Sequence, residues 1–182
     1  MRLQKIPLLG PLLTRGGPQF PRTARYGDIV RGLPIAPGSC DAVYCSHVLE
    51  HLSLEDLRTA LRNIRSYLKP AGVFRFVVPD LENYARNYLA STAEQPAMYF
   101  MEETMLGYAQ RARGLSGVMR SAWGNSRHMW MWDYKSLAVE LAKAGFRPIR
   151  RAQYGDSPDA HFRDVEDAGR WANQLGMECG RG

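Results

Sequence analysis

A chain of 182 residues, 45% hydrophobic and 23% charged, is long enough for one domain with a sizeable core and has the composition of a globular protein. The net charge of +6 comes from arginines that outnumber lysines twenty to four, but they are scattered, and no basic block interleaved with aromatics marks a nucleic-acid module. No apolar run approaches the ~18 residues of a membrane span. The apolar stretch at 6–13 is broken by Pro7, Gly10 and Pro11 and precedes no small-x-small cleavage site, so a cytoplasmic location is expected. Three cysteines, Cys40, Cys45 and Cys179, are an odd, sparse set that fits reduced thiols.

Residues 1–25 carry five basic residues, no acidic one and four prolines, which predicts an extended arm ahead of a domain over 26–182. The run Ala42-Val43-Tyr44-Cys45, after the turn Pro37-Gly38-Ser39, reads as a strand buried on both faces. Leu54, Leu57, Leu61, Ile64 and Leu68 then recur at three and four residues, one face of a helix, with Ser53 as its cap and Lys69-Pro70-Ala71-Gly72 as its stop. A second buried strand follows at 73–78. Strand, helix and strand in this order predict a βαβ unit with parallel strands.

Pro79-Asp80 opens a helix bearing Leu81, Tyr84, Ala85 and Tyr88. Residues 96–132, rich in methionine and aromatics, are of uncertain form. Asp133 caps a helix with Leu137 and Leu141 that stops at Gly145. Strands are expected at 146–154 and 175–179.

In an open parallel sheet, ligands bind beyond the carboxyl ends of the strands. Two such ends are legible, Cys45-Ser46-His47 and Val78-Pro79-Asp80. The run His47-Val-Leu-Glu50-His51 also spells H-x-x-E-H, a zinc-peptidase pattern. That chemistry requires both histidines on one helical face. Here the run follows a strand directly, and the clear helix starts only after Ser53, so no bound metal is expected. His47 and His128 are the histidines best placed for proton transfer, because an imidazole titrates near neutrality.

The run Asp41-Ala-Val-Tyr-Cys-Ser-His-Val-Leu-Glu-His-Leu52 resembles the fourth-strand motif of the class I S-adenosylmethionine-dependent methyltransferases, in the subgroup often labelled type 11. Leu68-Lys-Pro-Ala-Gly72 resembles that family's turn before the fifth strand, with alanine in place of the first glycine. Asp28-Ile-Val-Arg-Gly-Leu-Pro34 resembles the segment after the third strand. Asn125-Ser-Arg-His-Met-Trp-Met-Trp-Asp133 and Lys143-Ala-Gly-Phe146 resemble later parts.

The resemblance implies a partial Rossmann-like α/β fold: a mostly parallel sheet with flanking helices and an incomplete N-terminal half. It implies S-adenosylmethionine as cofactor, with Asp28 and Ile29 beside the adenine and Ser46 and His47 at the methionine end. Asp80 would stand at the mouth of the site, and 96–132 would cap the substrate side. His128 and Asp80 are the candidate catalytic residues, and the methyl acceptor is not legible.

Gly10, Gly16 and Gly17, the glycines before Gly27, do not form the Gly-x-Gly turn that lets the family's backbone approach the cofactor. The alternative reading is therefore a non-catalytic or partner-dependent subunit. With the family's first strand unmatched, the strand at 42–45 would have an open edge, to be covered by a second copy of the chain or by a complementing chain.

Overall fold

The computed structural model describes residues 24–107 and 127–182. The 1–25 arm therefore lies almost wholly outside the described residues, as does much of the 96–132 cap.

Strand β1 (Cys40–Ser46) leads through a 3-10 turn (Leu49–His51) into helix α1 (Leu54–Tyr67). Strand β2 (Leu68–Val78) follows at once. Helices α2 (Leu81–Ala90), α3 (Pro96–Glu103) and α4 (Tyr134–Lys143) precede β3 (Ile149–Ala152). A 3-10 turn (Ala160–Asp164) and the short helix α5 (Ala168–Trp171) lead into β4 (Leu175–Gly180).

The sheet order is β1-β2-β4-β3. β1 and β2 are parallel, as the βαβ reading requires, while β4 is antiparallel to both β2 and β3. Three strands thus run one way and β4 the other, a mixed sheet with a parallel majority. The caps are those expected. Ser53 accepts the Asp56 N–H at the start of α1, Asp80 caps α2, and Asp133 accepts the Ser136 N–H at the start of α4. β2 starts five residues earlier than predicted: Leu68 pairs with Cys40, the register slips, and pairing resumes at Val73 opposite Ala42. The 146–154 strand shortens to Ile149–Ala152.

Alternation along β2 sorts its side chains between two faces. Phe74, Phe76 and Val78 join Leu175, Met177 and Cys179 of β4 under the apolar stripes of α1 and α4. Arg75 and Val77 point the other way. Val77 packs with Tyr44, Ala152 and Trp171. The Trp171 ring lies so close to the β4 backbone that a Cβ at Gly176 would collide with it and with the Ala152 carbonyl, so glycine is required there. Arg75 is fully buried, donates to Glu166, Asp156, Glu178 and the Gln153 carbonyl, and lies over the Trp171 ring at 4.5 Å. This buried ion cluster fastens segment 153–171 to the sheet.

A second ion pair ties α4 to α1. Arg58 donates to Glu140 from Nε at 2.7 Å and from Nη2 at 3.2 Å, and Lys143 Nζ adds a bond at 2.7 Å. These hydrogen bonds, Arg58's above all, pull the Glu140 carboxyl down from 4.5 to about 2. A depressed carboxyl stabilises the fold fully above its unfolded value and loses that contribution as pH falls through the folded one. Glu140→Gln should therefore cost on the order of 1–3 kcal/mol at pH 7. The gap from the wild type should close as pH falls from 4.5 toward 2. Urea melts across that range check this; a pH-independent gap would remove Glu140 from the acid limb.

Candidate functional site

The carboxyl ends of the two parallel strands meet at a cleft of about 460 Å³. His47 follows β1, Pro79 follows β2, and both line it. Glu50 and His51 come from the 3-10 turn, Tyr84 from α2, Glu103 and Met105 from the end of α3 and just beyond, His128 from the strip before α4, Arg170 from the segment that Arg75 anchors, and Gln174 from the link between that segment and β4.

Backbone hydrogen bonds explain why residues so distant in sequence converge. The Glu50 carbonyl accepts the N–H groups of Met129 at 2.8 Å and Trp130 at 3.1 Å. His51 Nδ1 donates to the Arg127 carbonyl at 3.0 Å. The strip 127–130 is thereby clipped across the turn, and the His51 and His128 rings meet edge to face with centroids 5.0 Å apart. On the other side, His47 Nε2 donates to the Arg170 carbonyl at 2.9 Å. His47 holds a left-handed backbone, φ 53°, unusual for a residue with a side chain, right at the strand end.

Glu50 is the centre of this group. It is fully buried, and neither carboxylate oxygen has an aligned hydrogen-bond partner among the described residues. His47 Nδ1 lies 3.2 Å from Oε1, and His51 Nε2 and His128 Nε2 each lie 3.9 Å from it. The Glu50 carboxylate raises the His47 pKa above that of a free imidazole, against the opposing effect of burial. His128 shifts the other way: burial lowers its pKa, only partly offset by Glu50. One histidine is thus biased toward imidazolium and the other toward neutral imidazole across a shared carboxylate.

The remaining sequence candidates fall into different places. Ser46 Oγ is buried at the β1 end without a partner among the described residues. Asp80 is not among the residues lining the cleft. Its carboxylate accepts the Glu82 N–H, and Arg151 Nη1 stands 3.6 Å from it, so it serves as a helix cap beside an arginine. Asp28 turns back on its own loop and accepts the N–H groups of Val30 and Arg31. Ile29 lies in the same loop, which Asn63 of α1 holds by its carbonyl. Neither lines the cleft. The H-x-x-E-H run is a strand end and a 3-10 turn, not the helix that a zinc peptidase needs.

The sequence profile of a methyltransferase domain matches residues 18–150, well over half of the chain. The chain belongs to this methyltransferase domain family. No curated protein matches it. Similar solved structures include a chain of the complex between the Trm112 methyltransferase activator of Haloferax volcanii and its methyltransferase partner, at 17% identity and a TM-score of 0.48, covering 85% of this chain and 59% of that one. Another is a SAM-dependent methyltransferase of Archaeoglobus fulgidus, at 13% identity and a TM-score of 0.47, covering 85% and 65%. A third is a SAM-dependent methyltransferase of Thermotoga maritima, at 14% identity and a TM-score of 0.44, covering 84% and 61%. The chain spans less than two thirds of the length of each. Among its described residues, no helix is long and apolar enough to cross a membrane.

Proposed function

We propose that this methyltransferase-family chain moves a methyl group from S-adenosylmethionine to an acceptor at the cleft between the β1 and β2 ends. The observation that carries the reading is the convergence of His47, Glu50, His51 and His128 at the carboxyl ends of parallel strands, where open α/β sheets take their ligands. Methyl transfer asks for an acceptor atom held in line with the sulfonium, and for a base only if that atom must lose a proton. His128, with its lowered pKa, is the residue in the cleft suited to accept one. His47 and Ser46 stand at the strand end where the donor's methionine part would lie. Asp80 acts in this reading through α2, which it caps, and not on the acceptor. Asp28 and Ile29, in their loop, would reach only the adenine end. The three free cysteines fit a reducing, cytoplasmic setting.

Calorimetric titration of S-adenosylmethionine into the chain tests this. No Gly-x-Gly turn precedes β1, so the expected Kd is in the range ~0.1–1 mM, or about −4 to −5.5 kcal/mol. His47→Ala should weaken it further. Binding that fails to saturate at several times that range would count against donor use, and micromolar affinity would mean that the chain holds the donor without that turn.

A partner-dependent form of this activity is favoured by one observation. Among the described residues, β1 pairs with β2 only, which leaves its other backbone edge unpaired. A second copy or a complementing chain pairing there would complete the sheet, and light scattering on the purified chain distinguishes a monomer from an association.

A further inference from the structure

Neither oxygen of the buried Glu50 carboxylate has an aligned donor among the described residues. His51 gives its Nδ1 proton to the Arg127 carbonyl, so in the neutral ring Nε2 is a lone pair, and it faces Glu50. His47 gives its Nε2 proton to the Arg170 carbonyl, so in its neutral ring Nδ1 is a second lone pair on the same carboxylate. His128 turns Nε2 toward it as well. Imidazole nitrogens from three histidines thus converge on a fully buried carboxylate whose two oxygens have no aligned donor among the described residues. Burying such a charge uncompensated is strongly unfavourable. A proton on His47 answers one oxygen only and leaves the other two imidazoles facing the same space.

A cation answers all of them. One ligand atom each from Glu50, His51 and His128 lie within 4.8 Å of one another. Ligands about 2.1 Å from a shared ion stand at most about 4.2 Å apart, so small rotations of these side chains close the set. We propose that Glu50, His51 and His128 bind a divalent first-row transition-metal ion at the floor of the cleft. Two imidazoles and one carboxylate suit zinc, manganese or iron in preference to magnesium or calcium, which favour all-oxygen shells. The Arg127 carbonyl is the outer-shell group that fixes the His51 tautomer. Three protein ligands leave coordination positions open toward the cleft, where an oxygen of a bound small molecule could enter. This arrangement differs from the peptidase pattern: Glu50 is a ligand, not a base, and His128, absent from the H-x-x-E-H run, replaces His47. The inference goes beyond the methyl-transfer reading and stands without it; with the ion bound, His128 Nε2 is a ligand, so the proton-accepting role given to His128 in that reading belongs to the metal-free cleft.

The test uses the full chain, stripped with chelator and dialysed, then titrated calorimetrically with zinc, manganese and magnesium chlorides, with thermal melts alongside. One equivalent of zinc or manganese is expected to bind and raise the melting temperature, with magnesium far weaker. Glu50→Gln and His128→Asn should each weaken binding by roughly 100-fold or more. His161→Ala, which removes an exposed histidine beside Asp159, should leave it unchanged. Failure of the wild type to bind either transition ion, or binding that survives in whichever of Glu50→Gln and His128→Asn folds by circular dichroism, overturns the site. Because the readouts are metal stoichiometry and stability, a negative result here leaves the donor titration to be judged separately.

Discussion

Arg75→Met should cost ~3–5 kcal/mol in a urea melt, because it removes the cation from a buried cluster and leaves the anions behind. Glu166 is the residue that suffers. Its side chain is as fully buried as Arg75's, one oxygen bonds the arginine, and the other accepts the Gly155 N–H. Glu178 and Asp156 keep a second partner in Arg150, so their loss is partial. The methionine fills much of the same space under Trp171, so the cost is electrostatic more than volumetric. That separation is measurable. Arg75→Met combined with Glu166→Gln should recover part of the stability, because the orphaned charge has gone with its partner. A single-mutant loss under about 1 kcal/mol would mean that Arg75 reaches water and that the cluster does not anchor segment 153–171. The effect should also reach the cleft. Arg170 lies in that segment, and its carbonyl holds His47, so amide exchange at 168–171 should accelerate in Arg75→Met before global unfolding does.

What periodicity could reveal, it did. β1, α1, β2 and the Asp133-capped helix follow from apolar spacing, a cap residue and a proline-glycine stop, signals that act over a few residues. Pairing between distant segments carries no such local mark. Nothing in the last strand shows that it inserts antiparallel between β2 and β3, because alternation fixes faces, not neighbours. The meeting of Glu50 with His128 was hidden for the same reason: it depends on Met129 and Trp130 giving their N–H groups to the Glu50 carbonyl. One signal was present and unread. Arg75 interrupts the apolar run Val73-Phe74-Arg75-Phe76-Val77, and a charge inside a strand buried on both faces needs partners somewhere in the chain. Asp80 shows the reverse: a strand-end carboxylate beside a predicted site, used by the helix that follows it.

Leu61→Ala is the other large effect, expected at ~2–5 kcal/mol. Leu61 is fully buried in the cluster that joins Leu57 and Ile64 of α1 to Phe74 and Phe76 of β2 and to Leu137 and Leu141 of α4. Alanine is the best helix former, so the substitution costs α1 nothing in propensity, and the whole loss comes from transfer and from the cavity left behind. Val139→Ala on α4, half exposed, is the matched control and should change stability by under about 0.5 kcal/mol. The position of Leu61 decides what else moves. The 3-10 turn carrying Glu50 and His51 runs into α1 after Leu52 and Ser53, and Leu49 of that turn belongs to the same cluster. Loosening the stripe should therefore weaken the clip between the turn and strip 127–130, so that the Met129 and Trp130 amides exchange faster in Leu61→Ala than in Val139→Ala. A loss in denaturant melts as small as the control's would place this face of α1 in solvent, and the strand–helix–strand unit that presents the cleft would fail with it.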